Sequence, residues 1–257
     1  MLRLVINLDR SLDRWEFISQ QFSNLNLPIT RVSGVDGYQL SAETLLNLQP
    51  PLQEKWEFPR RLLPGEIGCY LSHIKCWKIL VESGEPWALV AEDDIRISAE
   101  ARQFFRDASW IPSGIELVQP FAHFDNYTMK VAKKEYSVMD GRKLFHPFKP
   151  YPIGTLAYFI SRECARDAIF ASNRLGMPVD EFMFGPMSSW AKKHPVWKLN
   201  PTLVLPSEIE STIQSINIKK QQTSSAWARL SPRRHCRKLL NSLRHILFSK
   251  KETFIFK

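Results

Sequence analysis

Apolar residues open the chain as a short block, Leu4-Val5-Ile6, within Arg3–Leu8, which predicts a buried strand. The spacing then changes to three and four at Trp15, Ile18, Phe22 and Leu25, one face of a helix that Pro28 closes. Ile29–Val32 predicts a second strand, turned out by Val35-Asp36-Gly37, so the opening is a β-α-β unit. A short helix over 41–48 and an irregular, proline-bounded connection over 50–64 follow. Ile67, Leu71, Ile74, Ile79 and Leu80 predict a long helix over 65–81. Trp87-Ala88-Leu89-Val90-Ala91 is the most strand-like run, and it leads directly into Glu92-Asp93-Asp94. Beyond it the pattern predicts helices over 99–108, 162–172 and 178–193 and strands over 115–118, 154–161 and 203–205. Residues 122–150 are aromatic, basic and irregular, as in a binding loop or hairpin. Alternating strands and helices predict an α/β fold, whose ligands sit beyond the carboxyl ends of the strands.

The acidic triplet is the first candidate for chemistry. Three adjacent carboxylates repel one another unless a cation sits among them, and oxygen donors suit Mg²⁺ or Mn²⁺. On the motif alone, a metal site and a solvated loop capping the next helix are equally supported. Asp180-Glu181 opens a helix, where it serves either as a general base or simply as favourable N-terminal charge. His73, on the long helix, is read either as a phosphate or acceptor contact or as a packed polar residue. His194 is read either as a ligand or as a helix C-terminal histidine.

These pieces fall in an ordered set: Val5–Arg10 with Arg14, Arg31-Val32 with Val35–Gly37, Pro64–Cys69 with Leu71-Ser72-His73 and Trp77, Glu92–Ile95, Gly154-Thr155 with Tyr158–Ser161, and Pro178–Phe182. Over roughly residues 1–205 the chain resembles glycosyltransferase family 25, the lipopolysaccharide-building galactosyl- and glucosyltransferases whose relatives include collagen galactosyltransferases. The resemblance implies a GT-A-like single domain with a mixed sheet, a UDP-hexose donor (UDP-galactose or UDP-glucose) and a β-linked product formed with inversion. It implies Mn²⁺ or Mg²⁺ held by Asp94 and Glu92, with Asp93 at the donor, and Asp180 or Glu181 as the catalytic base. Asn7, Arg14 and Asp36 are then expected at the nucleotide, Glu66, Ser72 and His73 along or beneath the site, and Gly154 and Thr155 near the sugar or acceptor. The triplet reads Glu-Asp-Asp instead of a strict Asp-x-Asp, which leaves open which two carboxylates touch metal. Rival readings are a metal-dependent phosphohydrolase and a non-catalytic carbohydrate- or membrane-binding protein.

Composition changes this picture mainly at the end of the chain. Of the net charge of +9, Lys219–Lys257 carries eleven basic residues against Glu252, so the remainder is close to neutral and gives no reason to expect nucleic-acid binding. Cys236, Leu239, Leu240, Leu243, Ile246 and Leu247 take helical spacing over 233–248, with Arg233, Arg234, Arg237, Lys238 and Arg244 on the other faces. The expectation is a transferase domain over 1–215 and a basic amphipathic tail over 216–257 that rests on an anionic membrane surface and meets a lipopolysaccharide or lipooligosaccharide acceptor there. No apolar run reaches a membrane span and Leu4–Ile6 is too short for a signal peptide, so a cytoplasmic, peripherally attached protein is expected. Four scattered cysteines without a C-x-x-C pair are read as reduced thiols.

Overall fold

The computed structural model describes residues 1–50, 60–149, 153–208 and 249–257. The opening unit is as the pattern predicts: β1 (Leu2–Asn7), α1 (Leu12–Asn24) and β2 (Thr30–Ser33), with β1 and β2 parallel. After α2 (Ala42–Asn47) comes α3 (Pro64–Ser83), a 20-residue helix that starts on proline, whose missing N–H costs nothing at the first helical position. It leads to β3 (Trp87–Glu92), parallel to β1 on the side away from β2. The strand order therefore reverses about β1, and the carboxyl ends of β1 and β3 open onto one crevice.

Next come β4 (Ile95–Ile97), α4 (Ala101–Arg106), β5 (Leu117–Gln119), β6 (Tyr127–Ser137) and β7 (Lys143–Lys149). They are followed by β8 (Ala157–Ser161), α5 (Arg162–Ala171), α6 (Val179–Phe184), α7 (Ser189–Lys193), β9 (Trp197–Asn200), β10 (Val204–Pro206) and β11 (Ser249–Phe254). Among the described residues, nine strands form one sheet in the order β11-β6-β7-β9-β5-β8-β3-β1-β2, while β4 and β10 pair separately. The sheet is mixed: β1, β2 and β3 run parallel, and β8 is antiparallel to both β3 and β5.

The continuous apolar run of β3 reflects burial on both faces. Ala88 and Val90 join the core beneath α3 and α5, which also takes in Tyr158 and Ile160 of β8. Leu89 and Ala91 face the other core, with Ile18 and Phe22 of α1 and Phe104 and Phe105 of α4.

Besides β4 and β9, strands that the pattern did not predict, three features differ from the sequence pattern. The helix expected over 178–193 is two short helices, because Pro186 has no N–H to continue the first. The irregular 122–150 region contains the β6–β7 hairpin, whose solvated faces obscure its alternation. Ser249–Phe254, expected within the tail, instead forms the edge strand beside β6. The helix expected over 233–248 and the boundary at 215/216 lie outside the described residues. Among the described residues no helix is long and apolar enough to cross a membrane.

Candidate active site

The crevice beyond β1 and β3 is a cleft lined by Arg10, Arg14, Asp36, Ser72, His73 and Glu92-Asp93-Asp94, among others. Glu92 ends β3, so its two successors leave the sheet at the cleft floor. Arg14, in the first turn of α1, is buried and pairs with both Asp93 and Asp94, the latter at 3.0 Å. Asn7, the last residue of β1, donates to Asp93 Oδ2 at 2.5 Å and to Ser11 O at 2.9 Å, while its Oδ1 accepts from Arg31. The Asn7 amide is thus committed to protein partners and orients the acidic cluster. Burial, assisted by Glu92 and Asp93, pushes Asp94 up to about 7, and Asp94 Oδ1 is buried with no hydrogen-bond partner. Burial also raises Asp93, against the pull of Asn7 and Arg14.

The other wall is α3. Its close approach to the loop after β2 requires glycine twice: a Cβ on Gly68 would lie 2.4 Å from Val35 O, and one on Gly37 would lie 1.7 Å from Pro64 O. Ser72 fastens the same contact, accepting from Val35 N at 2.8 Å and donating to Gly68 O at 2.7 Å. Asp36 caps the following turn through Tyr38 N and pairs with Arg10. Glu66 accepts from Leu63 N at the start of α3 and pairs with Arg60, so it supports the wall.

His73 is fully buried. Its Nδ1 lies 2.8 Å from the Tyr158 hydroxyl, which also accepts from Trp77 Nε1 at 2.9 Å, and its Nε2 points towards Glu92 Oε1 at 3.7 Å, beyond hydrogen-bond reach. Thr155 Oγ1 donates to the same Glu92 oxygen at 2.5 Å. Burial pushes Glu92 up, but the facing His73, Thr155 and Arg14 outweigh it and hold Glu92 below its ordinary value. Cys69 Sγ joins this group: ligand atoms of Cys69, His73 and Glu92 all lie within 4.8 Å of one another. Gly154 adopts φ 113°, and a Cβ there would lie 3.0 Å from His123 Cε1.

Asp180 and Glu181 stand in the first turn of α6. Burial raises Asp180 to about 6 against a hydrogen bond from Glu181 N, and Glu181, Glu92 and Glu66 add to the rise. Neither Asp180 nor Glu181 lines the cleft itself, and what links Asp180 to the acidic cluster is the charge of Glu92 acting on its carboxyl. Sequence reasoning missed Arg10, Tyr38, Cys69 and the Tyr158 hub as parts of the site. Lys198, outside the cleft lining, is fully buried and lowered to about 7 by burial; it donates to Phe121 O and reaches Gln119 Oε1 at 3.5 Å. Gln119 in turn donates to Gly154 O at 3.1 Å.

The family model described as glycosyltransferase family 25 (LPS biosynthesis protein) matches residues 1–183. The chain belongs to glycosyltransferase family 25. Procollagen galactosyltransferase 2 of Homo sapiens is 29% identical over 245 residues, covering 87% of this chain and 37% of the relative. The chain thus spans less than half the length of that animal protein. The lacto-N-neotetraose biosynthesis glycosyltransferase LgtB of Neisseria gonorrhoeae is 27% identical over 207 residues, covering 77% of this chain and 72% of the relative. A solved glycosyltransferase involved in glycosylation of the major capsid of PBCV-1 overlays 82% of this chain and 93% of its own, at TM-score 0.43 and 10% identity. The family blocks map onto the cleft: the Gly-Glu-Ile-Gly-Cys segment forms the wall contact at Gly68, and Glu-Asp-Asp forms the floor.

Proposed function

We propose that this family 25 protein transfers a hexose, galactose or glucose, from a UDP-sugar to a saccharide acceptor of the lipopolysaccharide or lipooligosaccharide class, with inversion. The observation that carries the reading is the convergence of Glu92, Asp93 and Asp94 with Arg14 in one cleft where the strand order reverses. The donor set fits a hard divalent cation: its oxygens are carboxylate, and Asp94 Oδ1 is buried without a partner. Asp94 is the first ligand, with Glu92 beside it, although Thr155 already engages one Glu92 oxygen. When bound, Mn²⁺ or Mg²⁺ supplies positive charge against the diphosphate leaving group.

The protein's own groups carry the remaining steps. Arg10 and Arg14 line the cleft and offer guanidinium groups to the diphosphate. The Asp180 carboxylate takes the proton of an acceptor hydroxyl, whose oxygen forms the new bond to the anomeric carbon. The bond from that carbon to the diphosphate oxygen breaks, and UDP leaves with the electron pair. A base raised to about 6 is ionised at neutral pH yet more basic than an ordinary aspartate. The test measures UDP release from UDP-galactose and UDP-glucose with Mn²⁺, with and without deacylated lipooligosaccharide fragments. Slow release accelerated by the fragments is expected, whereas release indifferent to any acceptor supports the phosphohydrolase reading instead.

The basic stretch over 233–248 extends the proposal to attachment at an anionic membrane surface, each cation adding roughly 1 kcal/mol. Truncation there also removes β11 from the sheet, so the cleaner variant replaces Arg233, Arg234, Arg237 and Lys238 with glutamine. Unchanged co-sedimentation of that variant with phosphatidylserine vesicles would remove the idea.

A further inference from the structure

A second polar cluster lies at the opposite end of the β3–β8 ladder from the cleft. Trp87 pairs with Ser161 at that end and Ala91 with Ala157 at the cleft end, a separation of about 13 Å at the usual rise per strand residue. Ser161 N donates to Glu116 O, which brings the residues preceding β5 beside the start of α5. Cys164, in the first turn of α5, is fully buried. His194, which follows α7, is 7% exposed and its ring stacks on Trp190 at 4.7 Å. Its Nδ1 lies 2.9 Å from Glu116 Oε2 and its Nε2 lies 2.7 Å from Asp167 Oδ2. Ligand atoms of Glu116, Cys164 and His194 all lie within 4.8 Å of one another.

We propose that Glu116, Cys164 and His194 bind a borderline divalent cation of the Zn²⁺ class, with Asp167 orienting the imidazole. A neutral imidazole has one N–H to donate, yet this ring faces a carboxylate at each nitrogen. A cation between Nδ1 and Glu116 answers one contact, and an Nε2–H donated to Asp167 answers the other. That second contact is the carboxylate–histidine arrangement that fixes the tautomer of a metal-bound histidine. Lys193 in turn holds Asp167 at 3.0 Å.

The spacing suits the ion. Zn–N and Zn–O bonds of about 2.0–2.1 Å at tetrahedral angles place the two donors about 3.3 Å apart, a small opening from the present contact. Burial, then Glu116 and Asp167, push the Cys164 thiol well up, and a coordinated cation is what converts such a thiol to thiolate. The sulfur donor also selects against Mg²⁺ and Mn²⁺, so this site differs in kind from the all-oxygen cluster in the cleft. Glu116 is 41% exposed, which leaves water for the fourth position. The three ligands come from the residues before β5, from α5 and from the end of α7, so the ion ties both helices to the end of the sheet.

The test uses the full chain, reduced, stripped with EDTA and titrated with Co²⁺. Expected is a near-ultraviolet thiolate-to-Co²⁺ charge-transfer band that Zn²⁺ abolishes by displacement. The band is lost in Cys164→Ser and kept in Cys69→Ser, which discriminates this site from the Cys69–His73–Glu92 group in the cleft. Asp167→Asn weakens Co²⁺ binding by about 10–100-fold, as expected for loss of a partner that orients a ligand. Glu116→Gln, at a half-exposed position that tolerates substitution, weakens it at least ~10-fold. Absence of the band, its survival in Cys164→Ser, its loss in Cys69→Ser or an unchanged affinity in Glu116→Gln overturns the proposal.

Discussion

The two ends of the β3–β8 ladder solve the same electrostatic problem differently. At the carboxyl end of β3, Glu92, Asp93 and Asp94 follow one another along the cleft, and the buried Arg14 guanidinium pairs with the last two. At the other end one ring, His194, lies between Glu116 and Asp167, with the Cys164 thiol beside it. The difference lies in what an incoming ion meets. In the cleft it competes with a resident arginine for carboxylates already paired. At the far end it would displace only protons, that of the Cys164 thiol and any held between His194 Nδ1 and Glu116. Under the proposed function the cleft therefore exchanges its counter-charge each time donor and metal enter and leave, whereas the far end holds its ion as a static cross-link.

The largest effect is expected from Arg14→Met. Removing one partner of a buried charge set leaves the others uncompensated and costs about 3–5 kcal/mol. Unfolding in urea with EDTA measures this. Mn²⁺ should then raise the midpoint more for the variant than for the parent, because the cation takes over the lost role. An equal Mn²⁺ effect in both proteins breaks the idea that arginine and metal share these carboxylates.

Asp94→Asn should lower turnover by ~10²-fold or more and abolish the Mn²⁺ effect on the midpoint. Asp180→Asn should lower turnover to a similar degree, ~10²-fold, with a different signature. With Mn²⁺ saturating, so that Asp94 is held ionised, the parent's rate should climb about tenfold per pH unit below about 6, where Asp180 loses its proton, and level off above; the variant lacks that limb. Stability moves the other way. The folded-state value lies above the ordinary 3.8, so the folded protein holds its proton more tightly than the unfolded chain. Its stability therefore falls as pH rises from about 4 to 6. At pH 7 Asp180→Asn should unfold at a higher temperature than the parent. A lower midpoint with lost activity points to a structural role for Asp180.

The same contrast explains how much was legible in the sequence. The cleft's floor is contiguous, Glu92-Asp93-Asp94 after an unbroken apolar strand, so both the cluster and its place at a strand end show in the chain. The β-α-β opening and the long α3 are equally readable, because one periodicity governs each. Asn7 shows only as a polar residue ending a strand, and its commitment to Asp93 and Arg31 depends on pairing 86 and 24 residues away. The far cluster draws on residues 116, 164, 167 and 194, and nothing in the local pattern joins them; only His194 was singled out, and with two readings. Lys198 lies in an alternating strand where the pattern gives no sign that a lysine is wholly buried. β11 was read with the basic tail because Lys250 and Lys251 continue its charge, although pairing with β6 makes it part of the sheet.

The smallest effect, and the one that best separates the two ends, is expected from His194→Gln. The ring is buried and stacked on Trp190, so its removal loses packing and two polar contacts. The carboxylates it leaves are not stranded, since Glu116 and Asp167 are 41% and 32% exposed and Asp167 keeps Lys193. A loss of about 1–2 kcal/mol follows, measured by urea unfolding in EDTA. Turnover should change by less than about 2-fold, because sites more than ~10 Å apart with no shared partners act almost independently. Zn²⁺ should raise the unfolding midpoint of the parent and leave that of the variant in place, since stabilisation by a ligand requires its site in the folded state. A fall in turnover as deep as that of Asp94→Asn would mean instead that the ladder transmits between its ends, and that the far cluster sets the position of the strand carrying Glu92.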